Sequence, residues 1–268
     1  MKTQILVNKL IPRTFNIVKI NQVLIMPFLM FLLLVVVVLS PGGINPFVIV
    51  AVLALKSVFL SGWLNMFHMC LENTNNENIS DEQKTLNSLN LYKEFFPGVG
   101  KYFQKIFWGI LIFILFVNLV ESAIFHFLGT FKSFSLENLP QTLSTKSDFL
   151  NFWNKISHAD KIRIFKIAAI DMSFVGFFSY LTMLWTQFVV VENKNPVSAF
   201  ISSIKAVLND PINTFLIFTL MLISFIFIFV LNFMLGENIL SQLLTLMLFA
   251  YVIVYYTMMT FLYFERYR

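Results

Sequence analysis

The chain has 268 residues, enough for one compact domain, but 58% of them are hydrophobic, only 12% are charged and 33 are phenylalanine. A soluble domain carries about 25% charged residues, so a water-facing globular surface is excluded. One cysteine, Cys70, rules out an internal disulfide, and the net charge of +5 lies beside apolar stretches, which favours anionic lipid head groups over nucleic acid as its partner.

Six stretches reach the roughly 20 apolar residues needed to cross a bilayer: 23–40, 46–70, 106–128, 167–191, 212–235 and 239–264. In hydrocarbon an open chain satisfies its backbone groups only as helix. The expected fold class is therefore all-α, a polytopic membrane protein with six transmembrane helices in a single integral membrane domain over residues 1–268. Lys2, Lys9, Arg13 and Lys19 precede the first apolar run, as in a secretory signal. Val38-Leu39-Ser40 is a poor small-residue cleavage site, however, so the first span is expected to be retained. The same basic residues, read by the positive-inside rule, place both termini in the cytoplasm. The loop between spans three and four holds six Lys or Arg against this trend, but long loops constrain orientation less than short turns do.

A proline and then a lysine-bearing amphipathic stretch precede each odd-numbered span: Pro12 with Phe15 and Lys19, Pro97 with Lys101 and Lys105, Pro196 with Phe200 and Lys205. Proline suits the first turn of a helix. Ala199, Phe200, Ser203, Ile204 and Val207 recur at helical spacing, as in a helix lying in the membrane interface. Each even-numbered span closes on an aromatic, any residue, a small polar residue and Met, followed by Glu. The copies are Trp63-Leu64-Asn65-Met66 to Glu72, Tyr180-Leu181-Thr182-Met183 to Glu192, and Tyr255-Tyr256-Thr257-Met258 to Glu265. The chain thus reads as an internal repeat of three αα-hairpins, each preceded by an interfacial helix, over residues 12–72, 97–192 and 196–265. In the enlarged middle unit, Ser147-Asp148 is expected to start a second interfacial helix with Phe149, Phe152, Trp153 and Ile156 on one face. Ser157 and Asp160 resemble a capping box opening the next helix.

Lys56, Glu121 and Asp171 fall within the spans, where an ionisable group is costly enough to be a functional hypothesis. One reading is an outward-facing polar cavity in which Lys56 pairs with one or both carboxylates. The other, favoured because no cluster of Ser, Thr, Asn and Gln surrounds these positions, has the carboxylates at the interface and the lysine snorkelling or in a structural ion pair. Glu72, Glu192 and Glu265 similarly read either as a cytoplasmic ring or, preferably, as boundary residues paired with lysines of the leading helices. No catalytic, metal-binding or cofactor-binding residues are expected. His68, His126 and His158 lack ligand spacing, and Gly98-x-Gly100 fits a helix lead-in better than a phosphate cradle.

Leu91-Tyr92-Lys93-Glu94-Phe95-Phe96-Pro97-Gly98-Val99-Gly100-Lys101-Tyr102-Phe103, Val190-Val191-Glu192-Asn193 followed by 196–203, and Tyr263-Phe264-Glu265-Arg266 carry a family resemblance. They resemble patterns in six-helix bacterial integral membrane domains, including the membrane region attached to some glycerophosphodiester phosphodiesterases. The resemblance implies the six-helix fold; the phosphodiesterase domain has no counterpart here, so its metal site and activity are not implied. The expectation is a non-enzymatic membrane scaffold or transport-related subunit acting through the lipid bilayer, other membrane proteins or a transport ATPase. The alternative is a small-solute permease component built around Lys56, Glu121 and Asp171.

Overall fold

A computed structural model describes residues 4–39, 46–75, 88–127, 151, 153–235 and 238–267. It is 94% helical, with no strand among the described residues. In chain order the helices are α1 (Gln4–Ile20), α2 (Ile25–Leu39), α3 (Pro46–Asn75), α4 (Phe95–Phe127), α5 (His158–Leu181), α6 (Trp185–Val190), α7 (Pro196–Asn209), α8 (Pro211–Leu235) and α9 (Ile239–Tyr267). Short 3-10 turns at Gln22–Leu24 and Leu91–Glu94 lead into α2 and α4. Six segments are long and apolar enough to cross a membrane: Gln22–Leu39, Phe47–Thr74, Ser88–Ile124, His158–Val190, Pro211–Leu235 and Ile239–Arg266. The chain is an integral membrane protein of all-α class.

One of the three leading prolines departs from the expected first-turn position, and another opens no separate leading helix. Pro196 does open α7: Asn195 caps it by accepting from the Ser198 amide at 2.9 Å, and the proline takes the first helical position. Pro12 instead lies inside α1, where it removes the amide that would bond the Asn8 carbonyl. Pro97 sits in the first turn of α4, which continues without interruption into the third span. The second unit therefore has no separate leading helix among the described residues. The turn at 41–45, most of the polar loop at 72–94, Ser147, Asp148, Phe149 and Phe152 lie outside the described residues.

The chain divides into two compact units, one formed by Met1–Leu111 with Tyr180–Arg268 and the other by Ile112–Ser179. In the larger unit α1 and α8 pack on α9, α2 on α3, and α6 on both α3 and α7. Its core gathers at one end of the spans. Buried aromatic rings concentrate on residues 59–67 of α3 and 256–264 of α9, where Trp63 stacks on Phe28 and Phe59, and Phe67 on Phe261. Such ring pairs add about 0.5–1.5 kcal/mol each beyond area burial. Toward the opposite end the same helices expose Leu33, Val36, Phe47, Phe229, Met234 and Leu240. In hydrocarbon that costs nothing, since lipid tails are as apolar as the side chains.

In the smaller unit Phe113, Phe116 and Phe174 surround Phe178 at centroid distances of 4.8–6.4 Å. Ser157 and Asp160 open α5 as expected: the Asp160 amide donates to Ser157 Oγ at 3.1 Å, and that hydroxyl donates to the Asp160 carboxylate at 2.7 Å. Trp153 packs edge-on against Phe165, with the Lys161 ammonium 5.6 Å from the indole centroid.

Candidate functional site: the repeat motifs and the surface helices

All three copies of the aromatic-x-polar-Met motif lie in the larger unit, and each aromatic reaches a surface helix or its junction with a span. Trp63 Nε1 donates to the Leu24 carbonyl at 2.7 Å, where the turn after α1 enters α2. Tyr180 donates to the Pro211 carbonyl at 3.2 Å and meets Thr214 Oγ1 at 3.1 Å, where α7 gives way to α8. Tyr255 donates to the Ile11 carbonyl at 3.2 Å, in the middle of α1. Asn65 extends the pattern by donating to the Glu94 carbonyl at 2.8 Å, ahead of α4. Met66 and Met258 are fully buried and Met183 half-buried. The motif is thus a clasp, its ring bridging to a surface helix while its methionine fills the core. Trp63→Phe is expected to cost about 2 kcal/mol, from the bond and part of the ring area, and Tyr255→Phe about 1 kcal/mol. Denaturant titration of the protein in detergent measures both, and a smaller loss at Trp63 than at Tyr255 contradicts this ranking.

The second copy carries a feature that the other two lack. Its helix breaks at 182–184, between α5 and α6, within the fourth candidate span. Backbone freed there must find partners. Ser203, fully buried on α7, accepts from the Leu184 amide and donates to the Leu181 carbonyl, both at 3.1 Å. Below the break Gln187 donates to Thr260 Oγ1, which donates to the Thr257 carbonyl, each at 2.8 Å. At the end of α6, Tyr102 donates to the Val190 carbonyl at 2.9 Å and Lys105 donates to Asn193 O and Oδ1 at 2.7 and 2.6 Å. Asn193 has φ 55°, a left-handed conformation that Asn adopts more readily than most residues.

Two of the motif glutamates use local partners, which at Glu72 and Glu192 corrects the expected pairing with leading-helix lysines. Glu72 lies 3.6 Å from His68 one turn back on α3, and Glu192 lies 2.7 Å from Lys194 in the linker before α7. Glu265 is exposed. Of the intramembrane charges, Lys56 is exposed on α3 of the larger unit, next to the buried Ser57. Glu121 and Asp171 belong to the smaller unit, with their carboxyl groups close enough to interact electrostatically. Glu121 Oε1 is buried without a hydrogen-bond partner. Among the described residues no three His, Cys, Asp or Glu side chains converge.

No family model, curated protein or solved structure matches the chain.

The two surface helices each show three faces. On α1, Val7, Leu10, Thr14, Ile17 and Val18 are buried in the unit. Ile11 and Phe15 form an exposed apolar flank, and Lys9, Asn16 and Lys19 occupy the remaining arc. On α7, Ala199, Ser203, Ala206 and Val207 are buried. Val197, Ile201 and Leu208 form the apolar flank, and Ser198, Lys205 and Asn209 the polar arc. A helix free in water has no use for the middle face.

Proposed function

We propose that this is a membrane scaffold without chemistry of its own, acting through lipid and partner contacts on α1 and α7, in a bacterial inner membrane with both termini cytoplasmic. The observation that carries the reading is the three-faced pattern of these two helices. One face packs on the bundle, one apolar flank suits acyl chains, and one lysine-bearing arc suits phosphate head groups. The clustering of Lys and Arg in segments assigned to one side supports the orientation. The six-helix membrane region seen beside some phosphodiesterases remains the proposed family setting, on the motifs at 91–103, 190–203 and 263–266.

Anionic lipid should stabilise such a protein by mass action. Reconstituted with phosphatidylglycerol, it is expected to unfold at a higher temperature than in phosphatidylcholine alone, and Lys9→Gln/Lys19→Gln/Lys205→Gln is expected to lose most of that difference. An equal response of wild type and triple variant sinks the proposal.

The proximity of the Glu121 and Asp171 carboxyls within the smaller unit supports a second reading, a small-solute permease component to which Lys56, in the larger unit, also contributes a charge. Paired carboxyls inside a membrane are a common device for ion and proton pathways. Lys56→Met separates the two readings: unchanged folding and unchanged cellular phenotype argue against the permease.

A further inference from the structure

The hairpin of α8 and α9 opens toward its turn into a groove of about 720 Å³. Phe225, Phe229, Leu246 and Phe249 wall its deep part, and Asn232, Gln242 and Thr245 line it nearer the turn. We propose that this groove holds one acyl chain of a membrane glycerophospholipid, with an ester carbonyl at Asn232. The site is independent of the surface helices discussed above.

Depth is the first argument. Helices α8 and α9 have 25 and 29 residues, about 37 and 43 Å, against a hydrocarbon thickness of about 30 Å. Glu237, which falls between them in the sequence, belongs outside the hydrocarbon, so the Leu235 and Ile239 ends reach its boundary. Asn232 and Gln242 each lie three residues inside a helix end, about 4–5 Å, which is the level at which the ester groups begin. Phe225 and Phe249 lie seven residues further along their helices, about 10 Å deeper. The groove is polar where a lipid is polar and apolar where it is apolar.

The second argument is the unmet hydrogen-bonding of Asn232. Its amide is exposed to the groove within a candidate span and has no partner among the described residues. At that level the amide can donate to an ester carbonyl as well as to interfacial water, and the carbonyl is the acceptor that a chain seated in the groove brings with it. The third argument concerns shape. A helix from a second copy would need small residues at the contact to let backbones approach, whereas these walls carry phenylalanine and leucine. A flexible chain fills such an irregular groove; a helix does not.

The test uses the whole protein in vesicles of phosphatidylethanolamine and phosphatidylglycerol. These carry a trace of phosphatidylglycerol with a photoactivatable diazirine midway along one acyl chain, and labelled residues are read by peptide mass spectrometry. The exposed face of α2, at Leu33, Val36 and Val37, gives the baseline for bulk lipid. Labelling at Ile226, Phe229 and Leu246 is expected to exceed that baseline about fivefold, the effect of about 1 kcal/mol of preference. Leu246→Trp fills the groove and should return labelling to baseline, and Ile226→Trp should do so from the other wall if Leu246→Trp fails to fold. Asn232→Leu, which keeps the volume and removes the donor, should lower labelling severalfold. Variants on α1 and α7 should leave it unchanged. Labelling no greater than on α2, or unaltered by a folded groove-filling variant, overturns the proposal. So do chain-to-chain cross-links through Phe229→Cys in a Cys70→Ser background, which would mean that a second copy covers the groove.

Discussion

Alanine at Gly98 and alanine at Gly100 are expected to shift stability in opposite directions, although the two glycines are two residues apart on α4. A Cβ added at Gly98 would stand 2.4 Å from Asn65 Cβ and 2.7 Å from the Ser61 carbonyl oxygen. The Ser61 oxygen belongs to the α3 backbone and cannot swing aside. The α3–α4 crossing would have to widen, straining the bond from Asn65 to the Glu94 carbonyl. Overpacking of this kind costs about 1–3 kcal/mol and occasionally more, and a contact against backbone belongs at the upper end, about 3 kcal/mol. Gly100 is exposed, with nothing within 4 Å of its added Cβ. Alanine there gains helix propensity, about 0.5–1 kcal/mol. Urea titration in mild detergent reads both, and equal effects of the two substitutions would contradict this account of the crossing.

Ser203→Ala is expected to cost about 2–4 kcal/mol, far more than a hydroxyl deletion on a surface helix usually does. The hydroxyl serves both sides of the break between α5 and α6, so its removal strands the Leu184 amide and the Leu181 carbonyl together. Each stranded buried group costs about 1–3 kcal/mol. The reference state in a membrane recovers some of this, as the modest measured hydrogen-bond values in bilayers show. Ser202→Ala is the control. Its hydroxyl accepts from Lys194 Nζ at 2.9 Å in a half-exposed setting, where such contacts contribute about 0–1 kcal/mol. Amide hydrogen exchange adds a local readout: Leu184 should lose protection in Ser203→Ala and keep it in Ser202→Ala. Equal protection in both variants would mean that the break is held by something other than Ser203.

The six spans were legible because each is a long apolar run, and a bilayer permits only helix for such a run. The start of α7 was legible because Asn195-Pro196 is a local cap signal. The interior position of Pro12 was not, since burial of one face against α9 outweighs the local cost of a mid-helix proline. The aromatic-x-polar-Met motif was visible as a repeat, but its partners at Leu24, Pro211 and Ile11 were not. Those bonds join residues 31, 39 and 244 positions apart, and periodicity carries no information at that range. Ser203 left one faint trace: it is a polar residue on the otherwise apolar face of α7. Gly98 left a misleading one, because a Gly-x-Gly at the head of a helix suggests a loop for phosphate. The structure uses only one of the two glycines, and uses it for close packing.

The most direct measurement of the central claim is the depth of α1 and α7 in a bilayer. Single cysteines at positions 15, 16, 197, 201 and 205, in a Cys70→Ser background and carrying a nitroxide, report it by their collision rates with oxygen and with a water-soluble nickel complex. Labels at 15, 197 and 201 are expected to favour oxygen, as at head-group or acyl depth, and labels at 16 and 205 to favour nickel, as in water. Nickel-dominated collisions at all five positions would take both helices out of the membrane and contradict the account.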